Sequence, residues 1–107
     1  MPQTTKARIG LIGLGTMGAN LALNIAEKGF KVAVFNRTAE KTRAFYADSG
    51  ALQGNLVPCE TLADLVAAIE PPRAIILMVT AGAGVDDQTA ALRPYLTSED
   101  IVIDAGN

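Results

Sequence analysis

Ile9-Gly10-Leu11-Ile12-Gly13-Leu14-Gly15-Thr16-Met17-Gly18 is the stretch that decides the fold. A short apolar run leads into three glycines spaced G-x-G-x-x-G, and a helix-compatible segment, residues 19–28, follows at once. Strand, glycine turn and helix in that order give the spacing its meaning. Gly13 allows a sharp turn off the strand. Gly15, with no side chain, lets backbone approach a pyrophosphate, and Gly18 lets the helix lie tight against the strand. The free N–H groups and positive dipole end of the helix then face the phosphates. Alone, the spacing fits any glycine-rich β–α turn; with these flanks it points to dinucleotide binding.

The chain on either side alternates between strand and helix patterns. Residues 7–12 read as a strand buried on both faces. The first helix spans about 16–28, with Met17, Leu21 and Ile25 at i, i+4, i+8 as its expected buried stripe and Gly29 at the left-handed C-cap position. A second strand covers residues 31–35. Asn36-Arg37-Thr38 closes it, with Thr38 as the N-cap of a helix over 39–48 whose core contact is Phe45. Leu56-Val57 is a weak third strand, cut short by Pro58. Thr61 and Asp64 open a helix with Leu62, Leu65, Val66 and Ile69 on one face, and Pro71-Pro72 ends it. Residues 74–79 are the central strand, unbroken in apolar character. A small-residue loop follows, then a helix over 85–93 with Asp86 and Asp87 in its first turn, then a last strand at 101–103. Such alternation predicts an α/β fold: a Rossmann-like, doubly wound parallel sheet of strand order 3-2-1-4-5. Ligand then lies at the carboxyl ends of the strands, beside the reversal between strands 1 and 4.

Composition narrows the class. The 107 residues suffice for one small domain, and 50% of them are hydrophobic, which argues against disorder. The formal charge of −2, with acidic and basic residues scattered, gives no nucleic-acid surface. No apolar run reaches the ~20 residues of a membrane span, and residues 1–6 lack a signal-peptide core, so the cytoplasm is the expected compartment. Cys59 is the single cysteine and there is no histidine to activate it, so a buried, incidental thiol is expected. No metal-ligand set is present in the sequence.

The tip of the second strand selects the cofactor. An NAD site usually carries Asp or Glu there, bonding the ribose 2′-hydroxyl. Here the residues are Asn36, Arg37 and Thr38. A carboxylate would repel a 2′-phosphate, whereas Arg37 would attract it, in a charge-assisted bond worth about 1.5–3 kcal/mol. Its guanidinium could also stack on adenine. Asn36 and Thr38 add neutral donors. The expectation is NADP rather than NAD; the competing reading leaves Arg37 as a solvated charge and Thr38 as a helix cap only.

The chain resembles the N-terminal coenzyme domain of the 6-phosphogluconate dehydrogenase family along nearly its whole length. The resemblance is carried by Gly13-Leu14-Gly15-Thr16-Met17-Gly18-Ala19-Asn20-Leu21-Ala22-Leu23-Asn24, by Phe35-Asn36-Arg37-Thr38, by residues 72–79 and 81–86, and by the final Asp100-Ile101-Val102-Ile103-Asp104-Ala105-Gly106-Asn107. It implies NADP contacts at Gly13, Leu14, Gly15, Thr16, Met17 and Gly18, at Asn36, Arg37 and Thr38, in the loop Val79-Thr80-Ala81, and at Asn107, which in the family lies between coenzyme and substrate. Two departures stand out: the family often has lysine where this chain has Thr80, and commonly has Gly-Gly-Asn where it has Ala105-Gly106-Asn107. Coenzyme affinity is where their effect is expected.

The resemblance further implies the N-terminal piece of a longer, cytoplasmic, homodimeric enzyme of the pentose phosphate pathway. That parent would oxidise and decarboxylate 6-phosphogluconate to ribulose 5-phosphate. No catalytic acid–base pair is visible in residues 1–107, so the expectation is a single coenzyme-binding domain that binds NADP without turnover. A missing substrate domain would expose apolar surface through which the piece associates. Two other readings compete: the coenzyme domain of a 3-hydroxyisobutyrate-type β-hydroxyacid dehydrogenase, and a non-enzymatic NADP-sensing module.

Overall fold

The structure is a computed structural model and describes residues 6–78 and 90–105. Five strands form one sheet: β1 (Ile9–Ile12), β2 (Val32–Phe35), β3 (Leu56–Cys59), β4 (Ala74–Leu77) and β5 (Ile101–Asp104). Their order is β3-β2-β1-β4-β5 and every pairing is parallel, as the alternating pattern predicts. Helices α1 (Thr16–Glu27), α2 (Ala39–Ala47) and α3 (Leu62–Ala67) connect them, with 3-10 turns at Gly50–Asn55 and Arg93–Tyr95. Residues 85–89 of the helix expected over 85–93, Asp86 and Asp87 among them, lie outside the described residues.

Parallel strands covered on both faces alternate their side chains between two cores. Leu11, Val32, Val34 and Leu56 point to the face that α1 covers, together with Leu14, Ala22 and Ala26. Ile12, Ala33, Phe35, Cys59, Ile75 and Leu77 point to the other, where Leu65, Val66 and Ile69 of the α3 region and Leu92 close over them. The apolar face expected for α3 is therefore the packed one, with Leu65, Val66 and Ile69 buried. Thr61 caps α3, its hydroxyl accepting from the Asp64 N–H at 3.0 Å.

Two expectations need correction. Met17 is 69% exposed, not part of a buried stripe; the residues of α1 that face the sheet are Gly18, Ala22 and Ala26, one position later in the turn. The physical reason is distance: α1 lies too close to the strands for large side chains, so only the smallest fit between them, while Leu21 and Ile25 flank the contact. On α2, Phe45 is half-buried and packs against the α1-side core as expected, while the fully buried residue is Thr42. Finally, β3 runs through Pro58 to Cys59, pairing Val34 with Pro58. Proline is tolerated because β3 is an edge strand with one side unpaired.

At the amino edge of the sheet, far from the glycine turn, Asp100 ties β4 to β5. Its carboxylate accepts from the backbone N–H groups of Arg73 (2.7 Å) and Thr97 (2.9 Å) and from Nη1 of Arg73 (3.2 Å). Burial alone would raise this carboxyl, but those donors and the guanidinium charge outweigh it and hold its pKa below the ordinary value.

Candidate dinucleotide site

The carboxyl ends of β1 and β4 lie side by side, with the Met78 N–H donating to the Ile12 carbonyl at 2.7 Å. This is the reversal point of the strand order, where a doubly wound sheet opens a crevice. The glycine turn sits on it, and each glycine meets a different demand. Gly13 has φ +103°, a conformation that disfavours any side chain, while its N–H donates to the Phe35 carbonyl at 2.9 Å. Gly15, the N-cap of α1, has no atom of the described residues within 4 Å of where a Cβ would stand, its chain neighbours aside. A Cβ on Gly18 would fall on the Gly13 carbonyl oxygen.

No side chain caps α1, and its first turn carries no acidic residue. The N–H groups of a helix's first turn have no partner within the helix and lie at its positive dipole end, a cradle suited to a diphosphate. Thr16 and Met17 are exposed at its rim. Leu14 differs: its side chain is buried, and its N–H is taken by Asn36 Oδ1 at 2.8 Å, so it shapes the turn rather than offering a free donor.

Asn36, Arg37 and Thr38 stand at the tip of β2, as expected of the second contact region. Arg37 is exposed. Thr38 occupies the N-cap position of α2, but its side chain makes no capping bond, so its hydroxyl is not committed to the helix. Asn36 bonds to the glycine turn through Oδ1, and its Nδ2 reaches the Thr38 carbonyl at 3.4 Å. The strand end and the phosphate turn are thus joined directly, a contact between residues 14 and 36 that no local pattern in the sequence announces. Thr42, which accepts from the Asn36 N–H at 3.1 Å, was also absent from the expected set; a threonine inside a helix between charged neighbours was the signal.

Val79, Thr80, Ala81 and Asn107 lie outside the described residues. Ala105 does not: its N–H donates to the Leu77 carbonyl at 3.0 Å, so β5 ends beside the same crevice. Cys59 is buried, and burial, with the Asp64 charge adding to it, pushes its thiol up to about 11, the inert state expected. Among the described residues no cluster of acidic or thiol groups could hold a metal ion, and no helix is long and apolar enough to cross a membrane. An open hollow lined by Arg8, Ile9, Ile25 and Phe30 lies at the amino end of β1, away from the turn.

A glycine turn on the first strand, a bare helix terminus and a polar tip on the second strand, gathered at the switch point, define the class: a Rossmann-type dinucleotide-binding domain. The family model for the NAD binding domain of 6-phosphogluconate dehydrogenase matches residues 8–107, and the chain belongs to that family. It is 54% identical over 101 residues to the decarboxylating 6-phosphogluconate dehydrogenase of Synechococcus elongatus, covering 94% of this chain and 21% of that protein. To the enzyme of the same name from Escherichia coli K12 it is 47% identical over 103 residues, covering 96% and 22%. Among solved structures, Plasmodium falciparum 6-phosphogluconate dehydrogenase, studied apo, with NADP+ and with 6-phosphogluconate, superposes with TM-score 0.84 at 38% identity, over 92% of this chain and 21% of that one. An imine reductase from Aspergillus terreus at 23% identity and TM-score 0.73 shares the fold. The chain spans about a fifth of the length of the curated relatives it matches.

Proposed function

We propose that this chain is the NADP-binding domain of a decarboxylating 6-phosphogluconate dehydrogenase, and that substrate and catalytic groups come from a further domain of the parent enzyme. The observation that carries the cofactor choice is the tip of β2: an exposed Arg37 beside a Thr38 hydroxyl unused by the helix cap, with no carboxylate at the position that would take a ribose 2′-hydroxyl. Gly13, Gly15 and Gly18 shape a diphosphate cradle at the end of α1, and Thr16 and Met17 flank it. The loop Val79-Thr80-Ala81 and Asn107 complete the contact set, Asn107 toward the sugar substrate.

When bound, NADP supplies a hydride acceptor for C3 of 6-phosphogluconate, and loss of the carboxylate follows. This chain's part is to hold the coenzyme at the sheet's switch point with its reactive end toward the further domain. It binds NADP without turnover, since the described residues at the site offer no general acid or base. The parent is a cytoplasmic homodimer of the pentose phosphate pathway. Alone, the chain associates through apolar surface such as Ile101 and Ile103 of β5 and Tyr95, all more than 40% exposed. Light scattering that gives only monomer over a wide concentration range overturns that last point.

Calorimetric titration of the chain with NADP and with NAD tests the central reading. NADP is expected to bind the more tightly, with the preference lost in Arg37→Asp; equal preference in wild type and variant rules out the assignment.

A further inference from the structure

We propose that Thr42, a fully buried residue of α2, is a positioning residue for coenzyme selectivity, acting through Asn36 on both halves of the dinucleotide site. The reading rests on NADP being the ligand. Its physical basis is a relay of two hydrogen bonds. The Thr42 hydroxyl accepts from the Asn36 backbone N–H at 3.1 Å, fixing the point where β2 ends. The Asn36 side chain then accepts from the Leu14 N–H at 2.8 Å, fixing the glycine turn.

The relay also sets which end of the amide faces outward. A backbone N–H can only donate, so Oδ1 of Asn36 must be the atom turned to Leu14. Nδ2 is left on the other side. Its contact with the Thr38 carbonyl is long, at 3.4 Å, and would yield to a stronger acceptor. A 2′-phosphate arriving between Asn36 and Thr38 therefore meets an N–H donor, with the Arg37 guanidinium on the residue between. A carboxylate at position 36 could hold Leu14 equally well but would present an acceptor outward, which suits a ribose hydroxyl. Without the Thr42 hydroxyl the Asn36 N–H loses its partner in a part-buried setting, and the β2 tip is free to shift against the turn.

The test uses Thr42→Val, close in shape but without the hydroxyl, and Thr42→Ser, which keeps it. Each chain is titrated with NADP, NAD and 2′,5′-ADP, a probe that carries the 2′-phosphate without nicotinamide. Thr42→Val is expected to lose about tenfold in affinity for NADP and 2′,5′-ADP, the worth of one hydrogen bond, with a smaller loss for NAD. Thr42→Ser is expected to restore both. Unchanged NADP binding in Thr42→Val, equal losses for NADP and NAD, or no rescue by serine overturns the proposal. Amide exchange on the wild-type chain reads the relay without ligand: the Leu14 and Asn36 amides should be protected and that of Gly15 should not. This measurement decides the matter where Thr42→Val does not fold. Protected amides with no preference for NADP overturn the coenzyme assignment and the selectivity role with it. Preference for NADP with unprotected Leu14 and Asn36 amides overturns the positioning role alone.

Discussion

Gly18 of α1 packs so closely on Gly13 that a single added carbon would overlap the Gly13 carbonyl oxygen. The obstacle is backbone, so no side chain can swing aside. Gly18→Ala is expected to destabilise the domain by about 3 kcal/mol, the upper part of the range for overpacking, lowering Tm by more than about 10 °C. Thermal unfolding followed by circular dichroism checks this.

Gly15 offers the contrast. Its backbone has φ −68°, which any residue adopts, and the space around its Cβ position is open among the described residues. Gly15→Ala should therefore lower Tm by only about 5 °C, since alanine at a helix N-cap costs about 1 kcal/mol relative to glycine. NADP affinity should fall at least about tenfold, because the methyl group stands where the diphosphate would approach. Titration and melting of the same sample separate the two effects.

Asn36→Asp preserves an acceptor for the Leu14 N–H, so folding should be little affected. It replaces the outward donor with a negative charge. The ratio of NADP to NAD affinity should drop by about tenfold or more, the scale of one charge-assisted bond. Competition between the two nucleotides in a fluorescence assay measures the ratio.

Asp100 accepts from two backbone N–H groups and from the Arg73 guanidinium with its carboxylate buried. Removing it in Asp100→Ala leaves Arg73 without its anion and should cost about 3 kcal/mol in urea unfolding at neutral pH. The sign of the pH effect follows from its lowered pKa. The stability it contributes is present above the unfolded carboxyl value of about 3.9 and is lost as pH falls through the lower folded value. The variant should accordingly show a flatter acid limb than wild type.

Cys59 has its thiol raised from 9.0 to about 11 by burial and by the Asp64 charge. The folded chain favours the protonated thiol, so this contribution to stability is intact below pH 9 and is lost as pH rises through about 11. Alkylation by a small maleimide at pH 8 should be slow in the native chain and fast in urea.

The order of elements, the parallel sheet and the glycine turn are legible in residues 9–18 and in the alternation that follows, because apolar periodicity and glycine spacing are local properties. The polar tip Asn36-Arg37-Thr38 is legible for the same reason: position after a strand fixes its place at the sheet's carboxyl edge. Periodicity failed on α1, where it selects large apolar residues and so put Met17 inside. How near a helix stands to a sheet is set by the backbone contact of Gly18 with Gly13, and that distance admits only Ala22 and Ala26 beside it. Pro58 likewise looked like a stop until β3 proved to be an edge.

The sequence by itself therefore determined what kind of domain this is and which three residues stand at the end of β2. Only the tertiary structure decided how they are held. Asn36 meets Leu14 across 22 residues and Thr42 across 6, and hydrogen bonds depend on distance and angle in space, which spacing along the chain does not carry.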